Sequence, residues 1–198
     1  MKQAIKYLLN LLSQLVVLPL IILSKLEEII FSKNTELIFN MCTHIVALLP
    51  GLPGAFLRRA FYSMTLDKCS QHCHIGFGSI FSHRSTTVEK HVYIGSYTII
   101  GSAHLGEHCL IGSRVSILSG KALHVMGDDG MWTPYSAERL SLVKLEKNVW
   151  IGEGAIIAAN VGEGSMVGAG SVITTNVKPH IIITGNPARF VKNLGTDE

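Results

Sequence analysis

Apolar positions along this chain follow two regimes that meet near residue 66. In the second, an aliphatic residue is followed by glycine and, four places on, by a small residue, and the six-residue unit then repeats. Ile75-Gly76 with Ser79, Ile94-Gly95 with Thr98, Leu105-Gly106 with Cys109, Ile111-Gly112 with Val115, Ile151-Gly152 with Ala155, Val161-Gly162 with Ser165 and Val167-Gly168 with Ser171 all obey it. So short a period suits neither an amphipathic helix nor a free alternating strand, and it predicts a parallel β-helix. Three short strands make one coil, coils stack at about 4.8 Å, and the aliphatic and small residues fill a narrow prism. Val88, Leu105 and Leu145 open one face, Ile94, Ile111 and Ile151 the next, and Phe81, Ile100, Ile117 and Ile157 the third. The glycine after each aliphatic residue is expected to ease the corner, where a side chain would be strained. Residues 121–144 lack the repeat and predict a loop on the solenoid, the usual place for function.

The first regime, residues 1–66, predicts helices. Residues 7–23 are apolar apart from Asn10, Ser13 and Gln14, follow Lys2 and Lys6, and contain Pro19. As helix they span roughly 26 Å, just under a bilayer core. No small-x-small cleavage site follows, so the segment is read as retained rather than as a removed signal. Residues 37–49 form a second apolar stretch, interrupted by Asn40, Thr43 and His44. It ends at the breaker Pro50-Gly51-Leu52-Pro53-Gly54. Residues 55–64 set Arg58 and Arg59 beside Phe56, Leu57, Phe61 and Tyr62, as a basic amphipathic helix in a headgroup layer would. The expectation is attachment to a membrane by a hairpin or by in-plane helices. The bland alternative is helices that pack on one another or across an oligomer interface.

Composition narrows the picture only a little. At 198 residues the chain allows one domain (67–198) with its appendage (1–66), and a net charge of +3 is too small and dispersed for a nucleic-acid footprint. Cys42, Cys69, Cys73 and Cys109 show no disulfide spacing, which points to a reducing compartment.

The hexapeptide run resembles the hexapeptide-repeat acyltransferases. So do Ser119-Gly120-Lys121-Ala122-Leu123-His124, the restart Asn148-Val149-Trp150-Ile151-Gly152-Glu153-Gly154, and Gly185-Asn186-Pro187-Ala188-Arg189. The apolar N-terminus and Leu49-Pro50-Gly51-Leu52-Pro53-Gly54 are similar to the colanic-acid and exopolysaccharide branch. The resemblance implies a left-handed coil, a homotrimer with sites in the clefts between prisms, and acetyl-CoA along each cleft with its thioester near the loop.

On that resemblance His124 stands at the catalytic histidine. Histidine also has the unperturbed pKa that a base for a sugar hydroxyl needs near pH 7, and direct transfer needs no Cys or Ser nucleophile. His83, in Phe81-Ser82-His83, stands at the same place of its coil as Ser119 does two coils on, and is the second candidate, to orient the base or touch the acceptor. Trp150, Glu153 and Ala169 match the donor groove. Thr174-Thr175 stands where relatives carry Thr-Lys, so Lys178 or Arg189 is expected to meet the CoA phosphates. Asp128, Asp129, Trp132 and Tyr135 are loop candidates for orienting the base or stacking on a sugar. His91, His108 and Asn148 share a register, with His104 nearby, but this spacing does not match a zinc site of the fold, and no metal is expected. Cys69, His72, Cys73 and His74 read as a capping segment.

These readings converge on an acetyl-CoA-dependent O-acetyltransferase acting on a saccharide, a lipid-linked surface-polysaccharide precursor, at the cytoplasmic face of the inner membrane. N-acetylation of an amino-sugar and a zinc hydratase on the same fold are the rival readings.

Overall fold

In the computed structural model, which describes residues 2–31, 35–120 and 123–195, the repeat forms a parallel β-helix of about six turns. The registers read from the sequence hold. Val88 and Leu145 flank Leu105 on the first face, Ile94 and Ile151 flank Ile111 on the second, and Ile100 and Ile157 flank Ile117 on the third. Bridges through Val161 to Val177 continue the first face. The second runs from Ile75 to Ile183 and the third from Phe81 to Ile173. These side chains, apart from the partly buried Ile183, and the small residues between them, from Ser79 and Thr98 to Ser171, are buried in one continuous core. An antiparallel hairpin of strands Ile181–Gly185 and Ala188–Asn193 closes the far end.

The glycines serve a different need from the one expected. None of Gly76, Gly95, Gly112 and Gly152 has a left-handed φ; a Cβ on Gly152 would lie 2.4 Å from the amide nitrogen of Ala169, and one on Gly95 2.5 Å from that of Ser113. They are bare because successive coils approach too closely for a side chain there. The conformationally demanding position comes two residues later. There Gly78, Gly154, Gly164 and Gly170, but also His91, Tyr97, His108, Arg114, Asn148 and His180, take a left-handed φ.

Three helices cap the near end: α1 (Lys2–Ile30), α2 (Leu37–Ala47) and α3 (Gly51–Thr65). Helix α1 runs on through Pro19 to Ile30, beyond the expected stretch, and the side chains of Lys2 and Lys6 lie outside the described residues. The breaker is also shorter than expected, because Gly51 to Gly54 form the first turn of α3, where proline is tolerated at Pro53.

The headgroup reading of α3 fails. Arg58 is 1 % exposed and donates to the carbonyls of Ile75, Leu49 and Ala47, while Arg59 donates to Asn10 and to the Cys73 carbonyl. Both arginines turn inward because the helix end and first coil present backbone carbonyls that accept their guanidinium N–H groups. Tyr62 packs edge-on to Phe81, which docks α3 on the prism.

Helix α1 has the reverse sidedness. Its polar Asn10, Ser24 and Glu27 are buried with Val17 and Ile21, while Leu8, Leu12, Leu15, Val16, Ile22 and Ile29 face outward. By length and composition Leu8–Ile30, with mean hydropathy 1.9, could cross a membrane.

Candidate active site

The loop returns to the wall earlier than expected. Val143 and Leu145 point inward with Lys144 out, so Val143–Leu145 is a strand and the loop ends before it. Lys121 and Ala122, which open the loop, lie outside the described residues. Beyond them the chain folds into a narrow antiparallel ribbon, with Met126 bridged to Trp132 and a turn in which Asp129 accepts from the Met131 amide. His124 stands at its base, exposed, and its Nδ1–H donates to the Thr133 carbonyl at 2.8 Å. A carbonyl can only accept, so the contact fixes the proton on Nδ1 and leaves Nε2 with a free lone pair, as a general base requires. The Thr133 hydroxyl accepts from the Val125 amide and from Arg139, which stiffens this support.

His83 lies on the same edge of the prism, between the third and first faces, at an earlier coil. Its Nδ1–H donates to Glu36 Oε2 at 2.7 Å, and its ring lies parallel to that of Tyr135, 6.2 Å away. Burial, then the nearby Glu36 carboxylate, push the Tyr135 phenol up, so it stays a proton donor. Residues 133–135 of the loop thus meet both histidines. Between loop and wall opens a groove of about 630 Å³ that reaches Val125, Arg139, Leu142, Asn160 and Asn176.

The other candidates do not converge within one chain. Thr174 shares the edge of His124, following the third-face strand Val172–Ile173. Glu153 and Ala169 stack on the edge between second and third faces, where Gly170 donates to the Glu153 carbonyl and Arg114 pairs with the Glu153 side chain. Trp150, 51 % exposed, stands on the second face between Leu110 and Met166. Lys178 is exposed on the remaining edge, and Arg189 is exposed on the closing hairpin. Asp128 and Trp132 are exposed on the ribbon. The rings of His91 and His108 stack at 4.8 Å, His104 faces outward on the first wall, and among the described residues no cluster of three or more His, Cys, Asp or Glu could hold a metal. Cys69 and Cys73 touch through their sulfurs beside His72 and His74 at the first coil. Burial pushes the Cys109 thiol up to about 11, so it is protonated at neutral pH inside the prism and offers no nucleophile.

Sequence reasoning misses the roles of Thr133 and Glu36. The Thr133 contact is made by a backbone carbonyl. For Glu36 one signal exists, the four-residue spacing of Glu36, Asn40 and His44 along a largely apolar helix.

Residues 142–175 match the model described as the hexapeptide repeat of succinyl-transferase. A protein of Lysinibacillus sphaericus carrying the name of a macrolide acetyltransferase is 31 % identical over 130 residues, covering 56 % of this chain and 68 % of that protein. The chain belongs to the hexapeptide-repeat acetyltransferase family. Alignments of this family member with proteins of Schizosaccharomyces pombe and Staphylococcus aureus named as acetyltransferases span 26 % and 31 % of those proteins. In fold the new member is similar to a maltose O-acetyltransferase from Clostridium difficile 630, with TM-score 0.67, 19 % identity, and 79 % and 85 % of the two chains covered. It is similar also to a hexapeptide-repeat acetyltransferase from Vibrio cholerae solved with acetyl-CoA, with TM-score 0.57, 19 % identity, and 78 % and 88 % covered.

Proposed function

We propose that this protein transfers the acetyl group of acetyl-CoA to a saccharide hydroxyl, on a lipid-linked precursor of a surface polysaccharide, at the cytoplasmic face of the inner membrane. This is the chemistry of the colanic-acid and exopolysaccharide branch. The observation that carries the reading is the His124 contact to Thr133, which presents Nε2 as a ready base. His124 Nε2 takes the hydroxyl proton as the oxygen attacks the thioester carbonyl carbon. The tetrahedral intermediate then collapses, the C–S bond breaks, and the imidazolium returns the proton to the departing CoA thiolate.

The donor site forms between subunits of a homotrimer. Two walls carry outward apolar ladders, Tyr93, Leu110 and Trp150 on one and Ile99 and Ile156 on the other, while the remaining wall shows Lys68, Thr87, His104 and Lys144. Pairing the two apolar walls of successive subunits is a heterologous contact, and three copies can close it into a ring. Such a ring brings the edge of His124 and Thr174 toward a neighbour's Trp150 and Lys178, with Arg189 as a second cation for the CoA phosphates, and leaves Glu153 and Ala169 on the edge that the two paired walls share, away from that cleft. Membrane association rests on the outward apolar side of α1, whose Asn10, Ser24 and Glu27 turn inward.

The test is transfer of labelled acetyl from acetyl-CoA into lipid-linked saccharides extracted from the source cells, comparing native protein with folded, trimeric His124→Ala. Label is expected with the native protein and at least about a hundredfold less with the variant. It should leave the product on mild hydroxylamine treatment, which cleaves an ester; label that resists it marks an amide and an amino-sugar acceptor. Equal transfer by both proteins removes His124 as the base.

A further inference from the structure

Between α2 and the third wall lies a cavity of about 540 Å³ lined by Glu36, Asn40, His44, Ser82, His83 and Tyr135, a volume suited to a small ligand. Three of these residues come from the helical segment. Glu36, Asn40 and His44 stand four residues apart, so they share one side of α2, and that side faces the prism. Polar residues at this spacing interrupt a helix whose other exposed side chains, Leu37, Met41 and Ile45, are apolar.

Glu36 is fixed on both oxygens. Oε2 accepts from His83 Nδ1 at 2.7 Å and Oε1 from the Arg84 amide at 2.7 Å. The neighbouring Arg84 side chain keys the helices to the same coil. It donates to the Ser24 carbonyl and hydroxyl, to the Thr35 carbonyl and to Glu27 Oε2, while its guanidinium lies 4.6 Å over the Phe39 ring. Glu27 in turn accepts the amides of Ile38 and Phe39 at the start of α2. Glu36 is thus delivered to His83 by a rigid, buried junction.

We infer that this cavity is the acceptor site, that the unit it takes is a neutral, hydroxyl-rich sugar, and that Glu36 is the positioning residue for His83. The inference rests on the saccharide acetyltransferase reading above. Among the described residues, no lysine or arginine lines the cavity, so nothing there would compensate the carboxylate of an acidic sugar or a phosphate. Asn40, His44 and Ser82 supply the neutral donors and acceptors that hydroxyls need, and Tyr135 an aromatic plane. With Nδ1–H held by a carboxylate, His83 keeps Nε2 for an acceptor hydroxyl. On this account the helices complete the site and are more than an anchor.

The experiment uses full-length protein in native membranes, with acetyl-CoA and the extracted lipid-linked saccharides as probes. Asn40→Ala is expected to raise the acceptor KM about tenfold with the acetyl-CoA KM and kcat unchanged. Glu36→Gln is expected to lower kcat about tenfold and, in the His83→Ala background, to cost nothing further, since residues acting through one group are not additive. Nitrogen-15 NMR of the His83 imidazole should show the proton on Nδ1 in the native protein and a tautomer mixture in Glu36→Gln, a change that a merely structural carboxylate would not produce. Mild acid, which releases the saccharide from its lipid carrier and leaves the acetyl ester in place, should give labelled sugar that passes an anion exchanger. Losses that add in the double variant, or an acceptor KM untouched by Asn40→Ala, would overturn the site while leaving the transfer reaction intact. Label retained as an acidic sugar would overturn the neutral class. No transfer by the native protein would remove the reading beneath both.

Discussion

The β-helix and helix α1 sort their side chains in opposite senses. In the solenoid the aliphatic residues Ile94, Ile111 and Ile151 are sealed in the prism, and polar residues such as Lys68 and Lys144 stand outside. In α1 the polar Asn10, Ser24 and Glu27 point inward, and Leu8, Leu12, Leu15 and Ile22 point out. Each arrangement satisfies its polar groups, but against different surroundings. Polar side chains line the corners of the solenoid, whereas the outer side of α1 shows mostly leucine, isoleucine and valine. The contrast teaches that burial is defined by the medium, and the outward leucines are the physical argument for a hydrocarbon neighbour.

The contrast is broken most severely inside the solenoid. Gly152→Ala drives a methyl group into the backbone of the next coil, and a backbone cannot rotate away as a side chain can. The expected cost exceeds the roughly 1–3 kcal/mol of ordinary overpacking, and circular dichroism should show a broad, early melt. Gly154→Ala is the control. A Cβ there meets nothing within 4 Å, and only its φ of +69° opposes the change, so about 1–2 kcal/mol is expected. Equal melting temperatures for the two variants would refute the close-approach account.

The junction comes next. Arg84→Met leaves Glu27 buried without its cation, and breaking such a pair typically costs about 3–5 kcal/mol. Limited proteolysis should then cut between helices and solenoid while the solenoid strands stay protected from hydrogen exchange. Unchanged cleavage would mean that Arg58 and Tyr62 hold the cap unaided.

The physics of these elements explains what the sequence could and could not reveal. The coil register was legible because each contact along a wall joins residues one short coil apart, and the aliphatic pattern marks every one. Arg58 misleads in sequence because its partners are backbone carbonyls, which leave no trace in residue type, and a charge beside aromatic residues resembles a headgroup helix. The Thr133 support of His124 is invisible for the same reason. Glu36 and His83 are 47 residues apart, across two architectures, so no period connects them. The glycine rule is visible in the sequence but its cause is not, since a close approach between coils and a strained corner ask for the same residue.

The outer side of α1 should respond in another currency. Leu15→Ser with Ile22→Ser removes two outward side chains and is expected to leave the melting temperature of the solenoid within the range of surface substitutions, about ±0.5 kcal/mol. Each loses about 1.5–3 kcal/mol of transfer free energy if that side meets lipid. Alkaline extraction of membranes should therefore release the double variant and retain the native protein. A lower melting temperature with unchanged partition would show that protein, and not lipid, covers the helix.

The smallest effect expected concerns the corner positions. Asn148 holds a φ of 58°, in the same place of the unit where His91 and His108 hold 62°. If the left-handed corner is what selects these residues, Asn148→Gly should be close to neutral and Asn148→Ala should cost about 1 kcal/mol, a shift of roughly 2–4 °C in a chain of this size. Thermal melts of the two variants read the difference directly. If the polar side chain is instead required, glycine will be the worse of the two, and the stacked rings of His91 and His108 would then be part of the wall and not an accident of its corners. The first outcome makes solvation at the corners incidental and the turn decisive; the second gives the polar outside of the solenoid a share in its stability that the apolar outer side of α1 has no counterpart for.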